Sequence, residues 1–423
     1  MSVLLKMLSE HKAGRAVGIC SVCSAHPLVI KAALSHALRT GSDVLIESTS
    51  NQVNQDGGYT DMKPVDFRRL VLDLADQAGL ARERVILGGD HLGPNCWQAL
   101  SAEEAMIKSE ELIRQYVEAG FAKIHLDCSM SCADDPVPLS DEVVAERAAR
   151  LCRVAEEAWR RVEGEPPVYI VGTEVPVPGG ATEDLAELEV TSPEAAVATI
   201  EAHHEAFKVL GLEEAWPRVV GLVVQPGVEF DHHKVVDYQP EAALALSRRI
   251  EDYPFMVFEA HSTDYQFDTN LKRLVQDHFA ILKVGPGVTF AMREALWALD
   301  AIEQELFAEN ASGLRSIVLE EMNIEPKYWK SYYSSEGGAL LLDKQYSLSD
   351  RVRYYWSRPN VVKAMEVMQR NFEQRTPPLT MVSQYLPGQY SAVRSGDITF
   401  GVESVVIHKV QEVLSQYATA CVE

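Results

Sequence analysis

Residues 88–97 read GGDHLGPNCW and follow the apolar run Val85, Ile86 and Leu87, so Asp90 and His91 stand together where a buried strand runs out into turn residues. An adjacent carboxylate and imidazole serve as an acid–base couple or as donors to a divalent cation, and equally as a capped Asx turn. Polar side chains recur in the same setting along the chain. Ends of other apolar runs carry Ser21 and Ser24; Glu47, Thr49, Asn51 and Gln52; Asp127 and Ser129; Glu174; Gln225, Glu229 and Asp231; Glu259, His261 and Ser262; and Lys283 and Thr289.

His91, His261 and Glu174, with Gln225 or Glu259 beside them, form a donor set for Zn²⁺ or Mn²⁺ if their strands converge on one axis. Asp90, next to a hydroxyl that such a cation acidifies, then acts as the base, with Glu47, Asp127 and Lys283 as further catalytic candidates. Lys283 forms a Schiff base only if burial lowers its pKa; among so many carboxylates, ion pairing with a raised pKa is the expectation. Asn51, Gln52, Asn95, Ser129, Ser262, Gly285, Gly287 and Thr289 are candidate substrate contacts. GPGVT (285–289) and VPGGATED (177–184) are glycine-bearing loops able to offer amides to a phosphate, the first running into a helix N-terminus. His125 precedes its strand end and is expected to pack inside, and His232 and His233 to form a solvated pair, with metal binding the alternative. Arg351 and Arg353 are expected on a helix surface or an interface, with phosphate binding the alternative if they reach the barrel mouth.

What must position these residues is a repeating strand–helix pattern. Eight β-like runs occur: AVGICSVCS (16–24), DVLIEST (43–49), VILGGDH (85–91), KIHLDCS (123–129), VYIVGTEV (168–175), VVGLVVQPG (219–227), FMVFEAHS (255–262) and AILKVGPG (280–287). Amphipathic helical patterns separate them, at 63–80, 101–120, 140–162, 192–211, 239–253 and 289–307. SAEE and SPEA place Ser at a helix N-cap and Glu in the first turn, where the oxygens satisfy free amides and the charge suits the dipole. Eight near-continuous apolar strands with intervening helices indicate a TIM (β/α)8 barrel over 1–310, with an open doubly wound sheet as the alternative; no GxGxxG follows the first strand. Strand C-terminal ends carry the chemistry of such barrels. Residues 311–423 change to aromatic-rich helical patterns and are expected to form an extension packed on the barrel or at a subunit contact, which makes an oligomer the expectation.

The 423 residues carry 39 basic and 62 acidic side chains, a formal charge of −23, which disfavours nucleic acid and anionic membranes. The start MSVLLKMLSEHKAGRAVG has charges inside its short apolar segment, so neither a signal peptide nor a membrane helix is expected and a cytoplasmic location is. Seven cysteines, an odd number, point to reduced thiols. Cys20 and Cys23 project to opposite faces of a strand, against a shared metal.

GICSVCSAHP, IESTSNQVNQDGGYT, GGDHLGPNCW, HLDCSMSCADDP, GTEVPVPGG, VVQPGVEFDH, EAHSTDYQ, LKVGP and SLSDRVRYYW together resemble the non-catalytic, Z-type subunit family of D-tagatose-1,6-bisphosphate aldolase. The resemblance runs from the first strand to near the C-terminus. It implies a TIM barrel, a role in galactitol, N-acetylgalactosamine or tagatose metabolism, and a separate class II aldolase subunit as partner. Relatives also include divalent-metal hexulose or hexulose-phosphate 4-epimerases. The name tagatose-6-phosphate kinase, used for related chains, finds no GxxxxGK[ST] loop here. Against catalytic class II aldolases, Asp90, His91, Glu174, His261, Lys283 and Thr289 fall at matching places. Gln225 stands where a metal-binding His is expected, and HST replaces the glycine-rich phosphate turn after His261.

Overall fold

Eight short strands, each near the start of its apolar run or within it, close on one another. In the computed structural model, which describes residues 2–162, 164–172 and 188–422, these are β1 (Ile19–Cys23), β2 (Val44–Thr49), β3 (Val85–Leu92), β4 (Lys123–Leu126), β5 (Val168–Val171), β6 (Val219–Val224), β9 (Val257–Ala260) and β10 (Ile281–Val284). Between β6 and β9 lies a two-stranded antiparallel hairpin, β7 (Glu229–Phe230) and β8 (Val235–Val236). The barrel order is β1-β10-β9-β6-β5-β4-β3-β2, and every pairing is parallel. The TIM barrel expected from the eight runs is the fold.

The helices are α1 (Val3–Lys12), α2 (Pro27–Thr40), α3 (Pro64–Ala78), α4 (Ala102–Glu118), α5 (Asp141–Trp159), α6 (Pro193–Val209), α7 (Pro240–Arg249), α8 (Asp268–Gln276) and α9 (Pro286–Phe307). Beyond them come α10 (Leu314–Ile324), α11 (Gly337–Tyr346), α12 (Pro359–Gln374), α13 (Leu379–Tyr385), α14 (Pro387–Ser395) and α15 (Val402–Ala420). Ser101 and Glu104 form a capping box at the start of α4, and Ser192 Oγ accepts from the Ala195 amide at the start of α6, as the SAEE and SPEA signatures predict.

The barrel interior is layered. At its N-terminal end, Ile19, Leu45, Ile86, Ile170, Val257 and Ile281 pack with Leu4, Met7 and Leu8 of α1, an apolar floor. Two residues further along β2, β3, β9 and β10, the same face carries Glu47, Gly88, Glu259 and Lys283, and the strand period of two turns a dry floor into a polar mouth.

The chain after residue 310 returns to the barrel wall. Helix α15 packs against α2, α8 and α9. The Cys421 carbonyl accepts from the Gly18 amide at 3.0 Å beside β1, and Tyr417 OH donates to the Thr263 carbonyl at 2.8 Å in the loop after β9. The segment SLSDRVRYYW is not a helix; it holds a 3-10 turn, Arg351–Tyr354, that reaches the mouth. Among the described residues no helix is long and apolar enough to cross a membrane. All seven cysteines are free thiols.

Candidate active site

Adjacent residues on a strand face opposite ways, yet Asp90 and His91 both line one cavity at the mouth. The reason is a bulge. Pairing of β3 with β4 shifts register between Gly89 and Leu92, and His91 itself takes the left-handed conformation, φ 49°. The neighbouring glycines serve close approach rather than this twist. A Cβ on Gly88 would meet Glu47 Oε1 at 2.4 Å, and one on Gly93 would meet the Asp127 carbonyl oxygen at 1.7 Å. Backbone cannot yield as a flexible side chain can, so Gly93→Ala is expected to destabilise the chain by about 3 kcal/mol. An unfolding midpoint in urea unchanged from wild type would contradict that contact.

Beneath the mouth lies a fully buried charge network. Lys123 Nζ sits 2.7 Å from both Glu47 Oε1 and Glu259 Oε2, ion pairs that lack good hydrogen-bond angles. Lys283 pairs with Glu47 and, at 2.8 Å, with Asp90 Oδ2. Burial alone would discharge these groups, but mutual attraction outweighs it. Glu259 and Asp90 are held below, and Lys123 and Lys283 above, their ordinary values. Lys283 is therefore an ammonium ion, as the pairing expectation held, and not a Schiff-base amine.

Three imidazoles cluster above this layer, with ring centroids of His91, His125 and His261 between 5.1 and 5.6 Å apart. His91 Nδ1 lies 2.6 Å from Asp127 Oδ2, and its Nε2 is 3.7 Å from Asp90 Oδ2. Burial disfavours its charge, but the Asp90 carboxylate and the Asp127 hydrogen bond together raise its pKa. His261 Nε2 is 2.9 Å from Glu259 Oε1, and burial lowers its pKa to about 4.

Asp90, His125, Glu259 and His261 each offer one ligand atom, all within 4.8 Å of one another. The hydrogen bonds of His125 test whether this group fits a cation. Its Nε2 faces the Gly172 carbonyl at 3.0 Å, while its Nδ1 receives the His91 amide at 3.3 Å. That assignment makes Nδ1 an acceptor, and it stands 3.0 Å from a second acceptor, Asp90 Oδ1. A proton on Nδ1 joins the two as a hydrogen bond; a divalent cation joins them equally well if the long His91 amide contact gives way. Two imidazoles and two carboxylates suit Zn²⁺ or Mn²⁺, with the Gly172 carbonyl fixing the tautomer.

Among the described residues this group shares Glu259 and His261 with the expected donors and adds Asp90 and His125. His91 stands beside the four-residue group with Nδ1 committed to Asp127, and Asp90, expected as base, stands within it. Gln225 is elsewhere engaged: its Oε1 accepts from the Gly227 and Val228 amides at 2.8 and 2.9 Å, capping a turn. Glu174 and the loop 177–184 lie outside the described residues. His125, expected to pack inside, is a member of the group, and Lys123 was missed. Lys123, His125 and Asp127 recur at a spacing of two, the signal that places all three on one strand face.

Among the substrate candidates, Asn51, Gln52, Ser262, Gly285 and Thr289 line the cavity, whereas Asn95 and Ser129 do not. Asn95 Oδ1 accepts from Gln98, and Ser129 Oγ donates to Asp127 at 2.8 Å, supporting the His91–Asp127 pair from behind. The Gly285 and Gly287 amides are not open to phosphate, since both donate to Asp264 Oδ1, at 3.0 and 2.7 Å. Thr289 Oγ1 donates to Asp350. His232 is no solvated residue: its ring bridges Ser349 Oγ and the Tyr332 carbonyl, tying the β7–β8 hairpin to the extension. Exposed His233 pairs with Asp343. Arg351 is buried over Tyr332, and Arg353 lines the cavity, so neither lies on a helix surface.

A closed parallel barrel with buried carboxylates, imidazoles and lysines at its C-terminal mouth defines a TIM-barrel protein with a site able to hold a divalent cation. The chain belongs to the D-tagatose-1,6-bisphosphate aldolase subunit GatZ/KbaZ-like family, whose model matches residues 4–422. It is similar to a crystal structure from Sinorhizobium meliloti described as a probable tagatose 6 phosphate kinase, with 47% identity, a TM-score of 0.88, and coverage of 96% of this chain and 100% of that one. More distant is the YdjI aldolase of Escherichia coli, at 12% identity and a TM-score of 0.44 over 88% of this chain and 98% of that one. The fructose-bisphosphate aldolase of Campylobacter jejuni aligns at 16% identity and 0.44 over 87% and 91%.

Proposed function

We propose that the chain is a divalent-metal enzyme that interconverts C4-epimeric hexuloses, free or phosphorylated, of the fructose and tagatose type. The supporting observation is the buried group Asp90, His125, Glu259 and His261 beside the His91–Asp127 pair, with Asp90, His91 and His261 lining one cavity. A cation held by those four residues supplies positive charge that polarises the ketose carbonyl and acidifies its C4 hydroxyl.

The chain's own residues do the rest. His91, its ring oriented by Asp127, takes the C4-hydroxyl proton at Nε2 as the C3–C4 bond breaks. The electron pair of that bond passes to C3 and onto the C2 carbonyl oxygen, giving an enediolate and an aldehyde. Lys283, an ammonium ion on the cavity wall, pairs with Asp90 at 2.8 Å and keeps that carboxylate ionised to hold the cation. Turning the aldehyde to present its other face, re-forming C3–C4 and returning the proton from His91 yields the C4 epimer. No external oxidant is needed, and the proton count closes.

Purified chain loaded with Mn²⁺ or Zn²⁺ is expected to convert fructose or fructose 6-phosphate into its tagatose counterpart, followed by chromatography or a coupled assay. A chain that binds no metal and interconverts neither pair sinks the reading. A second role is supported by the family itself, described as an aldolase subunit. There, the chain stabilises or activates a class II tagatose-bisphosphate aldolase. An aldolase partner with the same activity and thermal midpoint with and without this chain would remove that role, which is compatible with the first.

A further inference from the structure

The cavity has a second wall that the chemistry above does not use. Tyr59 and Thr60 from the loop after β2 meet Arg353, Tyr354 and Ser357 from the extension. Arg353 is held rigidly there. Its Nη1 donates to the Ser349 and Asp350 carbonyls, and its Nη2 to Tyr354 OH at 3.1 Å. The guanidinium lies 4.7 Å from the Tyr354 ring centre, and that ring in turn stacks on Tyr328 and meets Tyr59 edge-on. An arginine carries five N–H donors, so Nε–H and one Nη2–H stay unclaimed among the described residues, a pair suited to bidentate capture of an oxyanion.

Charge accounting singles out the same residue. Lys283, the other strong cation on the described cavity wall, is neutralised by Glu47 and Asp90, whereas Arg353 makes no ion pair among the described residues. The usual seat for an anion near this mouth, the amides opening α9, is filled by Asp264, whose carboxylate would repel a second anion. An oxyanion entering the cavity is therefore turned away from α9 and met by Arg353.

We propose that Arg353, carried in by the extension, anchors an oxyanion on the ketose, at the end remote from the reacting carbons, through its two unclaimed N–H donors. The phosphate of a sugar phosphate and the carboxylate of a hexuluronate share this chemistry. The proposal rests on the ketose reading above, and its test is a binding measurement rather than turnover.

Calorimetry on the metal-loaded chain uses tagatose 6-phosphate, the corresponding hexuluronate, free tagatose and inorganic phosphate as probes. Arg353→Met is expected to weaken one of the two anionic ketoses at least about 10-fold more than free tagatose, and Arg353→Lys to lie between. The ketose with the larger loss identifies phosphate or carboxylate as the group recognised. Inorganic phosphate is expected to compete with tagatose 6-phosphate on the unmodified chain if phosphate is that group, a readout that needs no variant to fold. Equal losses for anionic and free sugars, or no binding of either anionic ketose by the unmodified chain, overturn the proposal. A chain that binds with this dependence but interconverts nothing loses the epimerase reading and keeps this one; a chain that interconverts with unchanged Arg353→Met binding does the reverse.

Discussion

Lys123→Met is expected to destabilise the chain by about 3–5 kcal/mol, because removing one partner of a buried ion network strands the others. Lys123 is fully buried and stands between Glu47 and Glu259 at 2.7 Å from each. Without it, Glu259 keeps the His261 contact, whose imidazole burial holds near neutrality, and the weaker pull of Lys283. The stranded carboxylate then binds a proton more tightly folded than unfolded, so the loss is present at neutral pH and shrinks as pH falls. Urea unfolding at several pH values reads both effects. Adding Glu259→Gln to Lys123→Met removes one stranded charge and is expected to recover about 1 kcal/mol or more. A single variant within about 0.5 kcal/mol of wild type at pH 7 would show that the network contributes nothing to stability.

The second large effect separates two neighbouring imidazoles. His125→Ala is expected to lower divalent-metal affinity by more than about 100-fold, since it deletes a donor rather than a supporting contact. His91→Ala is expected to keep metal affinity within about 10-fold while turnover falls by about 10²–10⁴. Metal titration followed by epimerisation assay on both variants gives the answer. The opposite pattern, metal lost with His91 and kept without His125, would restore the assignment that the sequence alone favours.

That contrast shows how far the residues could be read in one dimension. The eight barrel strands and the N-caps at Ser101 and Ser192 were legible because apolar period and capping chemistry are local. Asp90, Glu259 and His261 were legible as mouth residues because parallel strands end at one rim. Which of the polar groups meet was not, because parallel barrel strands are apolar on both faces and sequence leaves their facing undecided. His125 therefore read as packing, Lys123 drew no reading, and the side-by-side placement of Asp90 and His91 in one cavity waited on the β3 bulge. Gln225 had the right strand and the wrong direction, its oxygen bonded to backbone amides two and three residues on.

By itself, the sequence determined a (β/α)8 barrel, the strand ends that carry its polar groups, and the family to which the chain belongs. Only the tertiary structure decided which of those groups meet, because hydrogen-bond and ion-pair geometry depends on register, bulges and strand facing rather than on residue type. It also brought Arg353, about seventy residues past β10, into the same cavity as Asp90 and His261. Closing a long loop costs only slowly rising entropy, so α15 can pack back on the barrel wall and the turn before it can complete the mouth.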